Sequence, residues 1–389
     1  MKRIAAGILI FCFLIQSAVW GQEPELVKVS APALNLTAKS AVVMEADTGT
    51  IMFEKSKDKK LPPASVTKVM SLLLIFQDLD SGKIKLSDKV TVSEHAASMG
   101  GSQVFLEPGE EQTVEALIKC VVISSANDAV VALAEHLSGS EAGFVKRMNQ
   151  EAKKLGMKNT TFKNACGLDE NGHETTAYDI ALMSRELTEK HPKIFRYTKI
   201  WMDTITHKTK KGETEFGLSN TNKMIRQYSG CTGLKTGSTS TAKFCLSATA
   251  TRNGVDLIAV VMASDDSKTR IKDTSALLDY GFANCQVICQ KTTSKEIGEI
   301  PVTKGKKNTV LYPAEISTKI LNIKGRSSKI TRTIKKYSLE APVKKGQTIG
   351  IITYESGGRI LKKEKITASE TIEKMDFFTS FQKIAKQYF

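Results

Sequence analysis

The sequence predicts an α+β domain built on one antiparallel sheet covered by helices, then a small all-β module, then a terminal amphipathic helix. Three observations carry that reading. Strand patterns stand at both ends of the first part of the chain, with helical patterns between them. After about Cys289 the texture changes to short alternating stretches separated by glycine turns. The last segment gathers aromatic residues at helical spacing. At 389 residues the chain is too long for one ordinary core, and 41% hydrophobic with 25% charged residues is ordinary for a globular protein.

In chain order, the first element is an export signal. Lys2 and Arg3 precede an uncharged, mostly apolar run over residues 4–19; Ala18 and Gly21 are small, and Gln22-Glu23-Pro24 restores polarity. That pattern predicts a secretory signal peptide over residues 1–21. The run is short against the about 20 residues of a membrane span. The mature chain is therefore expected outside the cytoplasm, on the outer face of the cytoplasmic membrane or at the cell wall.

The α+β domain is expected over residues 33–284. Val42-Val43-Met44 and Ile51-Met52-Phe53 read as a hairpin around Asp47-Thr48-Gly49. Leu61-Pro62-Pro63-Ala64 breaks regular structure, and a helix follows over residues 65–79, apolar almost all round and so central. More helix is expected over residues 114–122 and 127–137. Ser138-Gly139-Ser140-Glu141 suggests a capping box for a helix over residues 141–155, and another helix fits residues 176–189. Residues 230–250 and 255–263 read as strands, and residues 269–280 as the closing helix.

A β-rich module is expected over residues 285–367, with strands near residues 320–323, 330–334 and 348–354. The tail, residues 368–389, reads as an amphipathic helix capped by Ser369. Phe377, Phe378, Phe381, Ile384, Ala385 and Tyr388 share one side, and Lys374, Lys383 and Lys386 lie mostly elsewhere. Such a helix suits the surface of an anionic membrane.

The formal charge is +15; loss of Lys2 and Arg3 lowers it by two to +13. The lysines look scattered, and no recognition helix or aromatic-basic motif is present, so nucleic acid is not an expected partner. Of seven cysteines, Cys12 leaves with the signal. There is no CxxC and no HExxH, and the five histidines are dispersed, so neither a metal nor another cofactor is expected. Cys231 and Cys245 flank a hairpin candidate where they could face each other, and Cys285 and Cys289 could share a helix face; spacing alone fixes no pairing.

Three motifs point to chemistry. In Ser65-Val66-Thr67-Lys68, the i, i+3 spacing puts a hydroxyl and an amine on one helix face. Serine is a poor nucleophile until a base takes its proton, and lysine serves only with a lowered pKa, which an apolar helix can supply. Ser125-Ala126-Asn127 lies where two helical stretches meet. There Ser125 can relay a proton, and Asn127 can hold the lysine and a substrate carbonyl. Lys235-Thr236-Gly237-Ser238 falls on a strand. Gly237 lets a peptide approach as an added strand, Lys235 and Thr236 suit a terminal carboxylate, and the N–H groups of Ser65 and Ser238 suit an oxyanion. Read singly, these are also a cap, a surface lysine and a protected strand edge.

Together the three motifs resemble the penicillin-binding DD-peptidase and serine β-lactamase superfamily, and within it the low-molecular-mass D-alanyl-D-alanine carboxypeptidases. Pro62-Pro63-Ala64-Ser65, Ser124-Ser125-Ala126-Asn127-Asp128-Ala129, Gly167-Leu168-Asp169 with Gly172-His173, Ala177-Tyr178-Asp179 and Gly233-Leu234-Lys235-Thr236-Gly237 fit that branch. The resemblance covers residues 39–281, and more loosely the module and tail. It implies the β-lactamase/DD-peptidase-like sheet and a serine D-Ala-D-Ala carboxypeptidase. Ser65, Lys68 and Ser125 would be its catalytic residues, and Asn127, Lys235, Thr236, Gly237 and Ser238 would bind substrate. It also implies a peptidoglycan stem peptide as substrate and β-lactams as covalent inhibitors. Ser238 stands where some relatives carry histidine, but only its N–H is needed. Cys166 is expected near the cleft, within reach of thiol reagents. No ExxLN pattern, which one β-lactamase class uses, lies between Asn127 and Lys235. Intact motifs also weigh against a merely peptidoglycan-binding protein.

Overall fold

The computed structural model describes residues 34–209, 212–324 and 329–377. The signal peptide expected over residues 1–21 and the tail beyond Phe377 lie outside the described residues. The first domain is built on five antiparallel strands in the spatial order Ile51–Lys55, Ser40–Glu45, Val255–Ser264, Lys243–Arg252 and Cys231–Thr239. The chain begins in the sheet, leaves it for the helices and returns to complete it. Strand patterns at both ends of one domain require that path. In the first hairpin the Glu45 carboxylate accepts from the N–H groups of Asp47 and Thr48 at 3.1 and 2.8 Å.

Val255–Ser264 is the middle strand, and nearly every one of its residues is buried because both faces are covered. Successive side chains alternate between two cores. On one face Val42, Met44, Ile258, Val260 and Met262 meet the helices Lys68–Asp80, Asn127–Ser138 and Ala177–Lys190. On the other face Val43, Leu246, Leu257 and Val261 meet Leu277 and Leu278 of Ser267–Asn284. Lys68–Asp80 is the central helix. Ten of its thirteen residues are buried, as its apolar circumference requires.

Two local readings change. Helix Glu141–Lys154 is capped by Ser140, whose hydroxyl accepts from Gly143 N at 3.1 Å. No capping box forms, because with Ser140 as the N-cap the third helical position is Gly143; Glu141 accepts instead from Ala165 N at 2.9 Å and contacts His95 at 2.8 Å. Cys231 and Cys245 do not face each other: Cys231 lies opposite Ala250, and Cys245 opposite Gly237. All six cysteines of the described residues are free. Cys285 and Cys289 lie on strand Cys285–Thr293, not on a helix.

That strand pairs with Glu315–Ile323, and Thr331–Lys336, Thr348–Ser356 and Arg359–Thr367 form a three-stranded sheet. Tyr354 lies at the heart of this second unit, with Ile320, Ile352 and Ile366, and its hydroxyl is 2.9 Å from Thr292 Oγ1. The unit meets the first domain through Lys324 N, which donates to Asn284 O at 2.8 Å, and through Lys362, 2.6 Å from Asp47.

The expected helix start at residues 368–369 is corrected. Ala368 and Ile372 are buried in the module's core. Ile372 and Val343 exchange backbone hydrogen bonds at 2.8 and 2.9 Å, and Met375 N donates to Lys304 O at 2.8 Å. Ser369 N donates to Leu311 O at 2.8 Å, and Ser369 caps no helix. Burial of Ile372 and this backbone pairing hold residues 369–376 as an extended strap, so the module runs past residue 367. Among the described residues no helix is long and apolar enough to cross a membrane.

Truncating Tyr354 to Ala should cost about 3–5 kcal/mol of stability, the scale of an aromatic core deletion. Urea unfolding of the variant checks this, and a loss below about 1 kcal/mol would show that Tyr354 does not organise the module.

Candidate active site

Pro62 and Pro63 lead into Ala64, whose φ is +49°. A tight 3₁₀ turn, Ala64–Thr67, then runs directly into helix Lys68–Asp80. In such a turn residues three apart eclipse each other, and Lys68 Nζ donates to Ser65 Oγ at 3.0 Å. The sequence reading had the α-helix starting at Ser65; the tighter turn brings the two side chains into register instead.

Lys68 is fully buried. Its ammonium donors go to Ser65 Oγ, to Asn127 Oδ1 at 2.6 Å and to Cys166 O at 2.8 Å, which accounts for all three hydrogens. Burial lowers its pKa to about 8, partly opposed by Cys166 and Asp128.

Asn127 begins its helix just after Ser125. Its Nδ2 donates to Gly100 O at 2.7 Å, so its amide is committed to the lysine and to the neighbouring loop. One hydrogen and one lone pair remain on that amide. Ser125 closes the wide helical turn Cys120–Ser124 in the left-handed region, φ +62°. The turn carries it into the site, where it is 4% exposed. Among the described residues its hydroxyl makes no hydrogen bond to Lys68.

A third wall was not legible in the sequence. The segment 163–175 grips the turn Ala64–Thr67. Asn164 Oδ1 accepts from Gly167 N at 2.7 Å, and Ser71 Oγ donates to Ala165 O at 2.6 Å. Cys166 supplies the carbonyl that holds Lys68. His173 Nδ1 accepts from Lys163 N at 3.1 Å, so Nε2 carries the proton and donates to Thr67 Oγ1 at 2.9 Å. Burial lowers this ring's pKa to about 4 and keeps it neutral. At Gly167, φ +92°, a Cβ would fall 1.9 Å from Ala64 O. Gly167 and His173 stood out in the sequence, but no spacing rule aims a main-chain carbonyl at a lysine. The expected access of thiol reagents to Cys166 is corrected: the side chain is buried and burial raises its pKa, so little reactive thiolate forms.

Lys235, Thr236, Gly237 and Ser238 lie on Cys231–Thr239, the edge strand of the sheet. A Cβ on Gly237 would lie 2.9 Å from Pro63 O, Ser65 N and Val66 N, so this strand touches the Ala64–Thr67 turn main chain to main chain. Ser238 is exposed at the strand end. Lys235 is buried and donates to Thr236 O at 3.1 Å. Its pKa is held well below the usual lysine value by burial and by the positive charges of Lys68 and Arg270. Thr236 Oγ1 donates to Thr221 Oγ1 at 2.8 Å.

Arg270, on helix Ser267–Asn284, was missed. It is 7% exposed and donates to Gly237 O at 3.3 Å and Cys245 O at 3.2 Å; nothing in its sequence context marks it. Lys68, Lys235 and Arg270 thus put three buried cations around one site, and none forms an ion pair with a carboxylate among the described residues. Buried cations are usually paired, so this arrangement suits an anionic ligand. No group of three metal-ligating side chains occurs among the described residues.

Residues 26–266 match the D-alanyl-D-alanine carboxypeptidase family, Peptidase S11, and residues 290–374 match the C-terminal domain of penicillin-binding protein 5. The chain is 41% identical to D-alanyl-D-alanine carboxypeptidase DacF of Bacillus subtilis over 97% of each chain. It is 32% identical to DacC of Escherichia coli, over 97% of this chain and 93% of that one. Among solved structures, penicillin-binding protein 5 of Haemophilus influenzae is 31% identical, with a TM-score of 0.68 over 88% of this chain and all of that one. PBP3 of Streptococcus pneumoniae, a peptidoglycan synthesis regulatory factor, is 27% identical, with a TM-score of 0.74 over 87% of this chain and all of that one.

Replacing Gly237 with Ala should push the edge strand and the nucleophile turn apart. Labelling of Ser65 by a fluorescent penicillin should slow about 100-fold, the scale of a misplaced reacting group. An unchanged labelling rate would show that the contact is not needed.

Proposed function

The chain belongs to the D-alanyl-D-alanine carboxypeptidase family, and on that premise we propose how its residues share out the reaction. The enzyme is a serine-type D-Ala-D-Ala carboxypeptidase that binds β-lactams. The observation that carries our assignment is Lys68 Nζ, 3.0 Å from Ser65 Oγ and wholly buried. Burial makes the neutral amine accessible near neutral pH, which a general base requires.

Neutral Lys68 takes the Ser65 proton, and Oγ attacks the carbonyl carbon of the penultimate D-alanine. The oxyanion sits on the N–H groups of Ser65 and Ser238. The tetrahedral adduct collapses, the C–N bond breaks, and Ser125 with Lys68 returns a proton to the leaving amine of D-alanine. Water then adds to the Ser65 ester with Lys68 again as base, and the shortened peptide leaves with Ser65 restored. Asn127 positions Lys68. The unpaired strand edge beside Lys235, Thr236 and Gly237 receives the peptide backbone. Positive potential from Lys235 and Arg270 favours a free terminal carboxylate, and so carboxypeptidase over endopeptidase action.

We assign residues 33–284 to catalysis and the module from residue 285 to a spacer or binding role. We also propose export through residues 1–21 and contact of the tail with the outer face of the membrane. The exposed Phe377 and the aromatic-basic sequence after it support that contact.

Ser65→Ala should abolish both D-alanine release and covalent penicillin labelling, and residual turnover would end the assignment. Lys68→Ala should lose at least about 100-fold in kcat, the usual scale of a general base. Because Lys68 acts deprotonated and its pKa is lowered to about 8, kcat/KM for acylation should rise with pH through that value and then level. A rate that falls through the same range would reject Lys68 as the base.

Deleting residues 377–389 should release the enzyme from anionic vesicles while D-alanine release in solution persists. Undiminished vesicle binding in a flotation assay would reject the tail as the contact.

A further inference from the structure

The carboxylate end of the substrate needs a donor, and the sequence reading assigned that role to Thr236. A threonine hydroxyl has one proton to give, and Thr236 gives it to Thr221 Oγ1 at 2.8 Å. Among the described residues the Thr221 hydroxyl donates to nothing. It accepts a hydrogen bond and keeps its own proton free, and such an acceptor is polarised into a stronger donor.

The setting of Thr221 fits a binding group. Thr221 is exposed, whereas its neighbours Asn220 and Asn222 are 5% and 3% exposed. Asn220 Nδ2 donates to Ile200 O at 2.7 Å, and Asn220 Oδ1 accepts from Asn222 N at 2.9 Å. The buried Asn220 amide therefore braces the backbone around one outward hydroxyl. Thr221 N donates to Ile123 O at 3.1 Å, within the wide turn that presents Ser125. Thr221 is thus tied by its N–H to the serine-asparagine motif and by its hydroxyl to the lysine-threonine-glycine strand. Lys235 and Arg270 provide the positive field, but the protein bonds recorded for both run to main-chain oxygens and to Ser267.

We infer that Thr221 is a further substrate-binding residue, whose hydroxyl, backed by Thr236, receives the C-terminal carboxylate of the peptide. This rests on the assignment above, in which the peptide lies along the edge strand. The group recognised is an anionic carboxylate; a C-terminal amide offers no such charge.

The test compares the full-length enzyme with its Thr221→Val and Thr221→Ser variants on diacetyl-L-Lys-D-Ala-D-Ala and on the same peptide ending in an amide. Thr221→Val should raise KM for the acid roughly tenfold, the worth of one charge-assisted hydrogen bond, with a much smaller change in kcat. The preference for acid over amide should narrow by a similar factor. Thr221→Ser, which keeps the hydroxyl, should hold the wild-type KM. An unchanged KM in Thr221→Val would overturn the inference, and so would equal losses on acid and amide. A serine variant as impaired as the valine variant would make the residue a structural one. Penicillin labelling of Ser65 in the wild-type enzyme keeps the two levels apart: without it the assignment of Ser65 fails, whereas with it only the role of Thr221 is at stake.

Discussion

Removal of one lysine from water is the constraint on which the rest of the site depends. An amine in the interior needs acceptors for its hydrogens and a reason to stay there. Lys68 finds a hydroxyl, a side-chain amide and a main-chain carbonyl, each from a different part of the chain. Those three acceptors fix three segments: the turn that carries Ser65, the start of the helix after Ser125, and the 163–175 wall. The central helix is apolar on every side because it must deliver this amine into the domain. The same burial that makes the charged form costly makes the neutral, basic form accessible.

The electrostatics divide the site in two. Around Lys68 every donor is satisfied, and the lowered pKa comes mainly from desolvation. Around Lys235 and Arg270 cations crowd without an ion-paired carboxylate, and burial, with the charges of Lys68 and Arg270, holds Lys235 below its usual range. On our assignment the first arrangement moves protons, while the second suits a negative charge. On the same assignment, a bound carboxylate offsets the positive field at Lys235, which converts part of the cost of burial into selectivity for a free carboxylate.

Much of this was legible in the sequence, and the gaps have physical causes. The central helix, the first hairpin and the late strands follow from periodicity, because each buries a face that the pattern must supply. Ser65 and Lys68 follow from spacing. Arg270 and Thr221 do not, because their roles depend on which strand ends at the sheet edge, a long-range fact. Cys166 is a site residue only through its carbonyl, which any residue type provides. The tail was misread at Ser369–Asp376 because a capping serine and a helical pattern are local signals, whereas Ile372 answers to a partner strand at Val343. The cysteine pairing failed on register: the hairpin is where it was expected, but the partners are offset along it.

Gly167 and Gly237 both press on the turn that carries Ser65, and at each a single added methyl would strike main-chain atoms. On our assignment, a drug that imitates the substrate is captured by the serine on that same turn. Mutational escape by displacing that turn at either position would therefore damage wall maturation along with drug capture. Tolerance gained inside this enzyme would have to come from faster breakdown of the drug ester, through residues that govern where water can stand.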